Sequence, residues 1–251
     1  MIPKTIHYCW FGYNPKSKLI KKCIASWKKF LPDWEIKEWN EENYDVNKNE
    51  YIKKAYEQKK WAFVVDFARF DILNEYGGVF LDADVELLKP IPEKLLLHQA
   101  FTGFESPGRV APGLIFASVP GHPVLAEIMK VYKSKTYGVK MDGKIETIVD
   151  IVTDVLIKNG MKANNEIQTV MDTVIYPKEY FCCFNHETQN FDITPDTISI
   201  HHYAASWSSW YRKAYFRTIG FAARILGKER YLRLKHKIQS MVFHQGVKRE
   251  E

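Results

Sequence analysis

Two aspartates, Asp82 and Asp84, end a short apolar segment in the sequence GGVFLDADVE, residues 77–86. The apolar residues predict a buried strand, and residues i and i+2 of an extended chain project to the same side. In open α/β sheets, ligands bind at the carboxyl ends of the strands. Two carboxylates that converge there suit a hard divalent cation, Mn²⁺ or Mg²⁺, which can bridge to a diphosphate leaving group. The alternative is a solvated acidic turn.

A second pair of charged residues, Asp66 and Arg69, lies in the apolar segment WAFVVDFARFDILNEY, residues 61–76. The composition predicts a largely buried helix, and the i, i+3 spacing places both side chains on one face of it. A guanidinium group forms paired hydrogen bonds with hydroxyl or phosphate oxygens. The two residues therefore either form a structural ion pair or reach polar groups of a ligand beside the strand that follows.

Aromatic and histidine side chains end two further predicted strands. Trp10, in the segment HYCWFG, either packs in the core or presents its indole face to a nucleobase. His201 and His202 begin the segment HHYAASW. Because adjacent residues of a strand point to opposite faces, only one of the two histidines can complete a metal site with the carboxylates. An imidazole beside carboxylates favours Mn²⁺ over Mg²⁺.

Alternating strands and helices must position these residues. The strands are predicted at residues 2–10, 34–39, 79–81, 100–104, 113–117, 173–176 and 197–202. The helices are predicted at residues 15–30, 51–60, 62–76, 122–134, 144–158, 209–226 and 229–243. This alternation predicts an α/β fold with a mostly parallel sheet. We expect one main domain, residues 1–207, followed by a helical C-terminal extension, residues 208–251.

Composition excludes several classes of protein. The chain has 251 residues, of which 14% are aromatic, and disordered chains are poor in aromatic residues. The four cysteines contain no CxxC pair, which argues against a disulfide scaffold or a zinc ribbon and favours a reducing cytosol. The first residues lack the pattern of a signal peptide, and no apolar run approaches the roughly 20 residues that span a bilayer.

The net charge of +6 is concentrated in the predicted extension. Residues 208–251 carry a net charge of +8, whereas residues 1–207 carry −2. This distribution argues against a uniformly basic nucleic-acid binder, and we expect no nucleic-acid partner. The extension is interpreted either as packing helices with a solvated basic face or as a peripheral attachment to an anionic membrane.

The segments around these residues together resemble glycosyltransferase family 32. That family includes bacterial capsular polysaccharide synthesis enzymes, fungal mannosyltransferases and, more distantly, the clostridial glucosylating toxins. The resemblance covers about residues 1–210 and is carried by IPKTIHYCWFG, DFARFDILNEYGGVFLDADVELLKP and SIHHYAASW. It implies a GT-A (Rossmann-like) nucleotide-sugar-binding fold. It also implies retaining, metal-dependent transfer of a sugar from a nucleotide-sugar, a UDP-sugar, to a glycan acceptor in bacterial surface polysaccharide synthesis.

The resemblance also implies roles for single residues. Asp66 and Arg69 hold the donor sugar, and Trp207 lies close to the glycosidic oxygen or the diphosphate. Asp82 contacts the ribose or the sugar and shares the metal with Asp84. His202 is the third metal ligand because it stands five residues before Trp207. The implied catalytic set is Asp66, Arg69, Asp82, Asp84 and Trp207; the implied donor-binding set is Trp10 (on the base), Cys9, Phe80, Asp82, Ser206 and Trp207.

Retention of configuration requires either a carboxylate nucleophile or attack on the same face, guided by the leaving phosphate. Asp66 is available as a carboxylate, and we predict that it positions the sugar without attacking it. The acceptor is expected to be a glycan, lipid-linked if the basic extension holds the enzyme at the inner face of the cell membrane. The expected location is therefore the cytoplasm or that membrane face.

Two alternatives come from other functional classes. In a haloacid-dehalogenase-like phosphatase, FLDADV would provide Asp82 as the phosphorylated nucleophile and Asp84 as the acid/base. Against this alternative, about 80 residues of α/β pattern precede the motif, and no Asp-Asp pair follows it to hold magnesium. A non-catalytic sugar-nucleotide binding module would keep Trp10 and the other aromatic residues but would show no turnover.

Overall fold

The structure, a computed structural model, describes residues 1–133, 146–185, 187–204 and 210–247. The helices in these residues are α1 (Lys18–Phe30), α2 (Glu50–Glu57), α3 (Trp61–Tyr76), α4 (Glu93–Leu96), α5 (Pro123–Lys133), α6 (Ile148–Lys158), α7 (Lys178–Phe181), α8 (Trp210–Leu226) and α9 (Lys228–Val247). The strands are β1 (Thr5–Cys9), β2 (Glu35–Trp39), β3 (Gly78–Phe80), β4 (Val85–Leu87), β5 (Ala100–Ser106), β6 (Arg109–Val110), β7 (Phe116–Ser118), β8 (Gln168–Val170), β9 (Thr173–Tyr176), β10 (Phe184–Asn185), β11 (Asn190–Phe191) and β12 (Ser199–His201).

The main sheet has the strand order β2-β1-β3-β7-β5-β9-β8, with β6 paired to β5. Strand β1 pairs in parallel with β2 and β3, and β5 pairs in parallel with β9. Strand β7 is antiparallel to both of its neighbours, and β8 is antiparallel to β9. Five of the seven strands along this path therefore run in one direction. This confirms the α/β class and the mixed, mostly parallel sheet predicted for a GT-A fold.

A separate two-stranded ribbon lies outside this sheet. Strands β4 and β12 pair antiparallel, with Ile200 opposite Glu86 and His201 opposite Val85. Helix α1 packs against β4, and the indole N–H of Trp27 donates a hydrogen bond of 2.8 Å to the carbonyl of Val85. The strand predicted at residues 197–202 is present as β12. It pairs with β4 in this ribbon and is not part of the main sheet.

Helix α1 begins at Lys18, three residues after the start predicted from Pro15. The reason is a side-chain cap, since the hydroxyl oxygen of Ser17 accepts a hydrogen bond from the backbone N–H of Ile20. The helix then buries an apolar face that includes Cys23 and Trp27. Its other face remains exposed and basic.

Helix α3 passes through the core between other elements. It contacts α2 and α5 as well as strands β1, β3 and β7. Its buried residues are distributed around the helix axis: Val64, Phe67, Ala68, Arg69, Phe70, Ile72 and Leu73. The largely buried helix predicted from composition is confirmed, and it ends directly before β3, which leads to the two aspartates.

The chain divides into two compact units. The first comprises Met1–Cys183 and Thr194–His202, and the second comprises Phe184–Ile193 and Tyr203–Glu251. Within the second unit, β10 and β11 form a hairpin, and α8 and α9 contact each other. The domain boundary expected after residue 207 stays a prediction. Among the described helices, none combines the length and the apolar character that crossing a bilayer requires.

A glycine substitution at the start of β3 tests how closely β3 packs against β1. Gly78 has φ +100°, and a Cβ there would lie 2.8 Å from the carbonyl oxygen of Thr5 and 2.9 Å from His7 Nε2. Gly160 has a similar φ of +97°, with no atom within 4 Å of its Cβ position. We expect Gly78→Ala to lower the free energy of unfolding by about 3 kcal/mol or more, and Gly160→Ala by about 1 kcal/mol.

Urea unfolding of both variants measures this difference. Because the two glycines have nearly the same positive φ, the difference between the variants reports mainly the steric contribution at Gly78. Equal losses would show that β1 and β3 are not packed as closely as described.

Candidate active site

The two aspartates lie immediately beyond β3, at its carboxyl end. The backbone N–H of Leu81 donates to the carbonyl of His7 at 3.1 Å, which extends the pairing with β1 past the end of β3. The carbonyl of Asp82 accepts a hydrogen bond of 2.9 Å from the N–H of Val85, so residues 82–85 form a turn. Asp82 and Asp84 therefore stand where the strand-end argument predicted them.

Gly113 allows the loop that contains it to approach Asp82 closely. The backbone N–H of Asp82 donates to the carbonyl of Gly113 at 3.2 Å. A Cβ at Gly113 would lie only 2.4 Å from Asp82 Oδ2. The approach of this loop to the carboxylate thus requires a residue without a side chain. The sequence alone provided no signal for this contact.

Arg69 forms an ion pair with Asp82, with 2.5 Å between Nη2 and Oδ1. The arginine side chain is only 1% exposed, and its guanidinium carbon lies 4.9 Å from the centre of the Phe80 ring. Among the residues that the structure describes, no partner is found for the buried Nε and Nη1 atoms of Arg69. Buried donors of this kind are normally hydrogen-bonded, so they are suited to oxygen atoms of a bound ligand.

Asp66 lies one turn before Arg69 on α3 and is partly buried. Burial raises the pKa of its carboxyl, Arg69 opposes this shift and the nearby Asp82 adds to it, and together they bring the pKa to about 7. Burial likewise raises the pKa of Asp82, against the effects of Arg69 and His201. The site therefore holds carboxyl groups whose charged forms are costly without a further cation.

A histidine from β12 completes the acidic pair. His201 Nε2 lies 3.0 Å from Asp84 Oδ1 and 3.9 Å from Asp82 Oδ2. Burial lowers the pKa of His201, but Asp84 and Asp82 outweigh this effect and raise it overall. One ligand atom from each of Asp82, Asp84 and His201 lies within 4.8 Å of the other two. Two carboxylate oxygens and one imidazole nitrogen form a donor set that fits a divalent cation.

The side chain of His202, the histidine predicted as the metal ligand, lies away from the two aspartates. His202 Nε2 lies 2.8 Å from Glu86 Oε2, and Lys22 Nζ lies at the same distance from that oxygen. In the register of the β4–β12 ribbon, Glu86 is opposite Ile200, so His202 falls on the Glu86 face and His201 on the other. The alternation of strand faces indicated that only one histidine can lie beside the two aspartates, and in this register it is His201. Metal binding by either histidine stays a prediction.

The predicted donor-binding residues are placed in different environments. Trp10 is partly exposed, and its indole N–H donates a 2.6 Å hydrogen bond to the carbonyl of Asn14. Cys9 and Phe80 are buried in the core, where their side chains pack against protein atoms. The assignment of Cys9 and Phe80 to the donor site therefore stays a prediction. Ser206 and Trp207 lie outside the described residues.

The sequence of residues 1–176 matches the family described as capsular polysaccharide synthesis protein. The chain belongs to this family. The match spans more than two thirds of the chain and includes Asp66, Arg69 and the aspartate pair. The family resemblance inferred from the sequence motifs is thereby confirmed.

Individual relatives carry glycosyltransferase names. An uncharacterized glycosyltransferase, L373, of Acanthamoeba polyphaga mimivirus is 26% identical over 221 residues, which are 84% of each chain. Inositol phosphoceramide mannosyltransferase 3 of Schizosaccharomyces pombe is 27% identical over 140 residues, 51% of this chain and 36% of that one. These relatives place the family member described here among glycosyltransferases.

A solved structure is also similar. It is a glycosyltransferase involved in the glycosylation of the major capsid of PBCV-1, with a TM-score of 0.47 and 12% identity. The similarity covers 84% of this chain and 98% of that one.

The pKa of Asp66 predicts a pH-dependent stability. Because its folded pKa of about 7 exceeds the unfolded value, ionisation destabilises the fold; this cost is absent below about pH 4 and complete above about pH 7. We expect Asp66→Asn, which cannot ionise, to gain stability over the natural protein as pH rises through this window. The gain at pH 8 should be at most about 4 kcal/mol, since one pKa unit equals about 1.4 kcal/mol.

Urea unfolding between pH 4 and 8, in the presence of a chelator, tests this expectation. Asp33→Asn, at an exposed loop position, controls for the loss of a carboxylate as such. A stability difference for Asp66→Asn that is independent of pH would contradict the raised pKa.

Proposed function

We propose that this family member is a retaining, metal-dependent glycosyltransferase. It would move a sugar from a nucleotide-sugar, UDP-linked, to a glycan acceptor during synthesis of a bacterial surface polysaccharide. The family match and the relatives support sugar transfer. The observation that carries the metal requirement is the convergence of Asp82, Asp84 and His201 at the end of β3.

The three residues are proposed as ligands of Mn²⁺, with Mg²⁺ as the alternative ion. The mixed oxygen and nitrogen donors favour Mn²⁺, because Mg²⁺ prefers oxygen ligands and retained water. A cation bound there would neutralise negative charge on the diphosphate as the glycosyl bond breaks. His201 must be neutral to act as a ligand, so metal binding is expected to release a proton.

Arg69 and Asp66 are proposed to hold the donor sugar. Arg69 fixes Asp82 through one nitrogen and retains two buried nitrogens that can donate to sugar or phosphate oxygens. Asp66, with its raised pKa, can donate a hydrogen bond when protonated and accept one when ionised. Both residues come from one turn of a buried helix, which keeps their positions fixed relative to each other.

The proposed chemistry is transfer on a single face of the sugar. A hydroxyl oxygen of the acceptor forms a bond to the anomeric carbon on the side from which the diphosphate leaves. The bond from that carbon to the diphosphate oxygen breaks, and the hydroxyl proton passes to the leaving phosphate. Asp66 positions the sugar in this scheme. Trp10, which is partly exposed near the end of β1, is proposed to stack on the base.

We further propose that the enzyme works in the cytoplasm, at the inner face of the cell membrane, on a lipid-linked acceptor. The support for this location is the charge distribution, with a net +8 in residues 208–251. Anionic lipid attracts such basic segments.

Metal binding separates the roles of the two histidines. We expect His201→Ala to weaken Mn²⁺ binding by about 100-fold or more, because it removes a direct ligand, and even outer-shell partners are worth 10–100-fold. His202→Ala should change the affinity by less than about threefold, because His202 contacts Glu86 and not the three proposed ligands, and Glu86 keeps Lys22 as a partner. Calorimetric titration with Mn²⁺ measures both. The reverse ranking would restore His202 as the ligand.

Turnover tests the reaction class. A panel of nucleotide-sugars is incubated with the protein and Mn²⁺, and free nucleotide is measured, followed by mass analysis of any accepted product. We expect release from one donor class, loss of release on chelation, and a decrease of about 100-fold or more in Asp84→Asn. Asp196→Asn, at an exposed position of the same unit, is the control and should retain full turnover.

The same assay distinguishes the two other functional classes. Nucleotide-sugar binding without release would indicate a binding module. Release of inorganic phosphate from phosphate monoesters, with none from nucleotide-sugars, would indicate a phosphatase.

A further inference from the structure

The junction between α8 and α9 exposes large apolar side chains to solvent. Phe221 and Ile225 are each 68% exposed, Leu234 is 48% exposed and Leu226 is 41% exposed. Phe221 and Ile225 are four residues apart on α8, so they share one face of that helix. We call these four residues, together with Arg230 and Arg233, the junction surface. All six belong to the second compact unit.

An adjacent face of α8 contacts the β10–β11 hairpin of the same unit. The amide nitrogen of Asn190 donates to the carbonyl of Gly220, and Arg224 Nε donates to Asn190 Oδ1 at 2.9 Å. At the start of α9, Lys228 forms an ion pair with Asp192. These contacts hold one face of α8 and the start of α9 and leave Phe221 and Ile225 exposed to solvent.

Cationic residues are frequent in the same stretch of chain as the exposed apolar residues. Residues 218–237 contain six Lys and Arg residues and a single acidic residue, Glu229. Arg230 and Arg233 are exposed and lie four and one positions before Leu234 on α9. Between the two helices, a surface hollow of about 320 Å³ is lined by Leu226, Gly227, Lys228, Glu229, Arg230 and Arg233. Cationic side chains thus stand beside exposed aliphatic ones along one continuous stretch of chain.

We propose that the junction surface binds the face of an anionic lipid bilayer. Arg230 and Arg233 contact phosphate groups at the bilayer surface, and Phe221, Ile225 and Leu226 enter the boundary between headgroups and acyl chains. Interfacial helices combine cations with an apolar face in this way, and their binding scales with buried apolar area and with lipid charge. The inference rests on the membrane association proposed above but does not depend on sugar transfer.

The chemistry of the surface favours lipid over two other occupants. Nucleic acid would be bound through phosphate contacts and aromatic stacking, and the three aliphatic side chains of the surface do not stack on bases. A second copy of the chain would bring two positively charged surfaces together, and like charges oppose such contact. A bilayer that contains anionic lipid satisfies both the apolar and the charged parts.

Flotation of the full-length protein with vesicles tests the proposal. Vesicles of phosphatidylcholine with 30% phosphatidylglycerol (about the anionic fraction at which electrostatic binding is strong) are compared with vesicles of phosphatidylcholine alone. We expect the natural protein to float with the anionic vesicles and at least about tenfold less with the neutral ones. No flotation with anionic vesicles, or equal flotation with both, would overturn the proposal.

Two double variants separate the apolar and charged contributions. Phe221→Ser with Ile225→Ser, and Arg230→Gln with Arg233→Gln, should each lower the partition onto anionic vesicles by about tenfold. The matched controls are Ile157→Ser, which removes an exposed apolar side chain elsewhere, and Lys18→Gln with Lys21→Gln, which removes two exposed cations from α1. These controls should float like the natural protein. Equal effects of controls and variants would show that the junction surface has no special part in binding.

Three readouts keep the test independent of the catalytic proposal. Circular dichroism checks that each variant is folded, and release of nucleotide in the absence of vesicles should be unchanged in the variants of the junction surface. Addition of excess DNA should leave flotation unaltered. Displacement of the protein from vesicles by DNA would instead assign the surface to nucleic acid.

Discussion

The buried ion pair between Arg69 and Asp82 joins the helix that crosses the core to the strand end that carries the acidic pair. Loss of either partner would leave an uncompensated charge in a poorly solvated place, which is far more costly than loss of a surface ion pair. The rest of the site depends on this contact. Gly113 lies against the oxygen of Asp82 that does not bond Arg69, and His201 approaches that same oxygen.

Two networks on opposite faces of the β4–β12 ribbon support the site. On one face, His201 faces Asp84 and Asp82. On the other, Glu86 accepts contacts from both Lys22 and His202, which link the ribbon to α1. Removing charge from the second face would therefore weaken the contact between the ribbon and α1 without changing the candidate metal ligands.

Much of the fold and part of the site could be predicted from the sequence. The carboxylate pair follows an apolar strand, and the spacing of Asp66 and Arg69 fixes them to one helix face; both inferences depend on local geometry that the sequence encodes directly. The choice between His201 and His202 could not be predicted, because it depends on the register between two strands more than 100 residues apart in the chain. The close approach of Gly113 to Asp82 likewise depends on tertiary packing.

The distance along the chain between the candidate ligands has a consequence for biosynthesis. Asp84 and His201 are 117 residues apart in sequence. During translation, the N-terminal part of a chain begins to fold before the remainder has emerged from the ribosome. The strand and helix that carry Asp66, Arg69 and the two aspartates can therefore pack while the histidine is still missing. A nascent chain, or a fragment released too early, would have the carboxylate pair but lack the histidine, so the complete candidate cation site can form only after synthesis has passed residue 201.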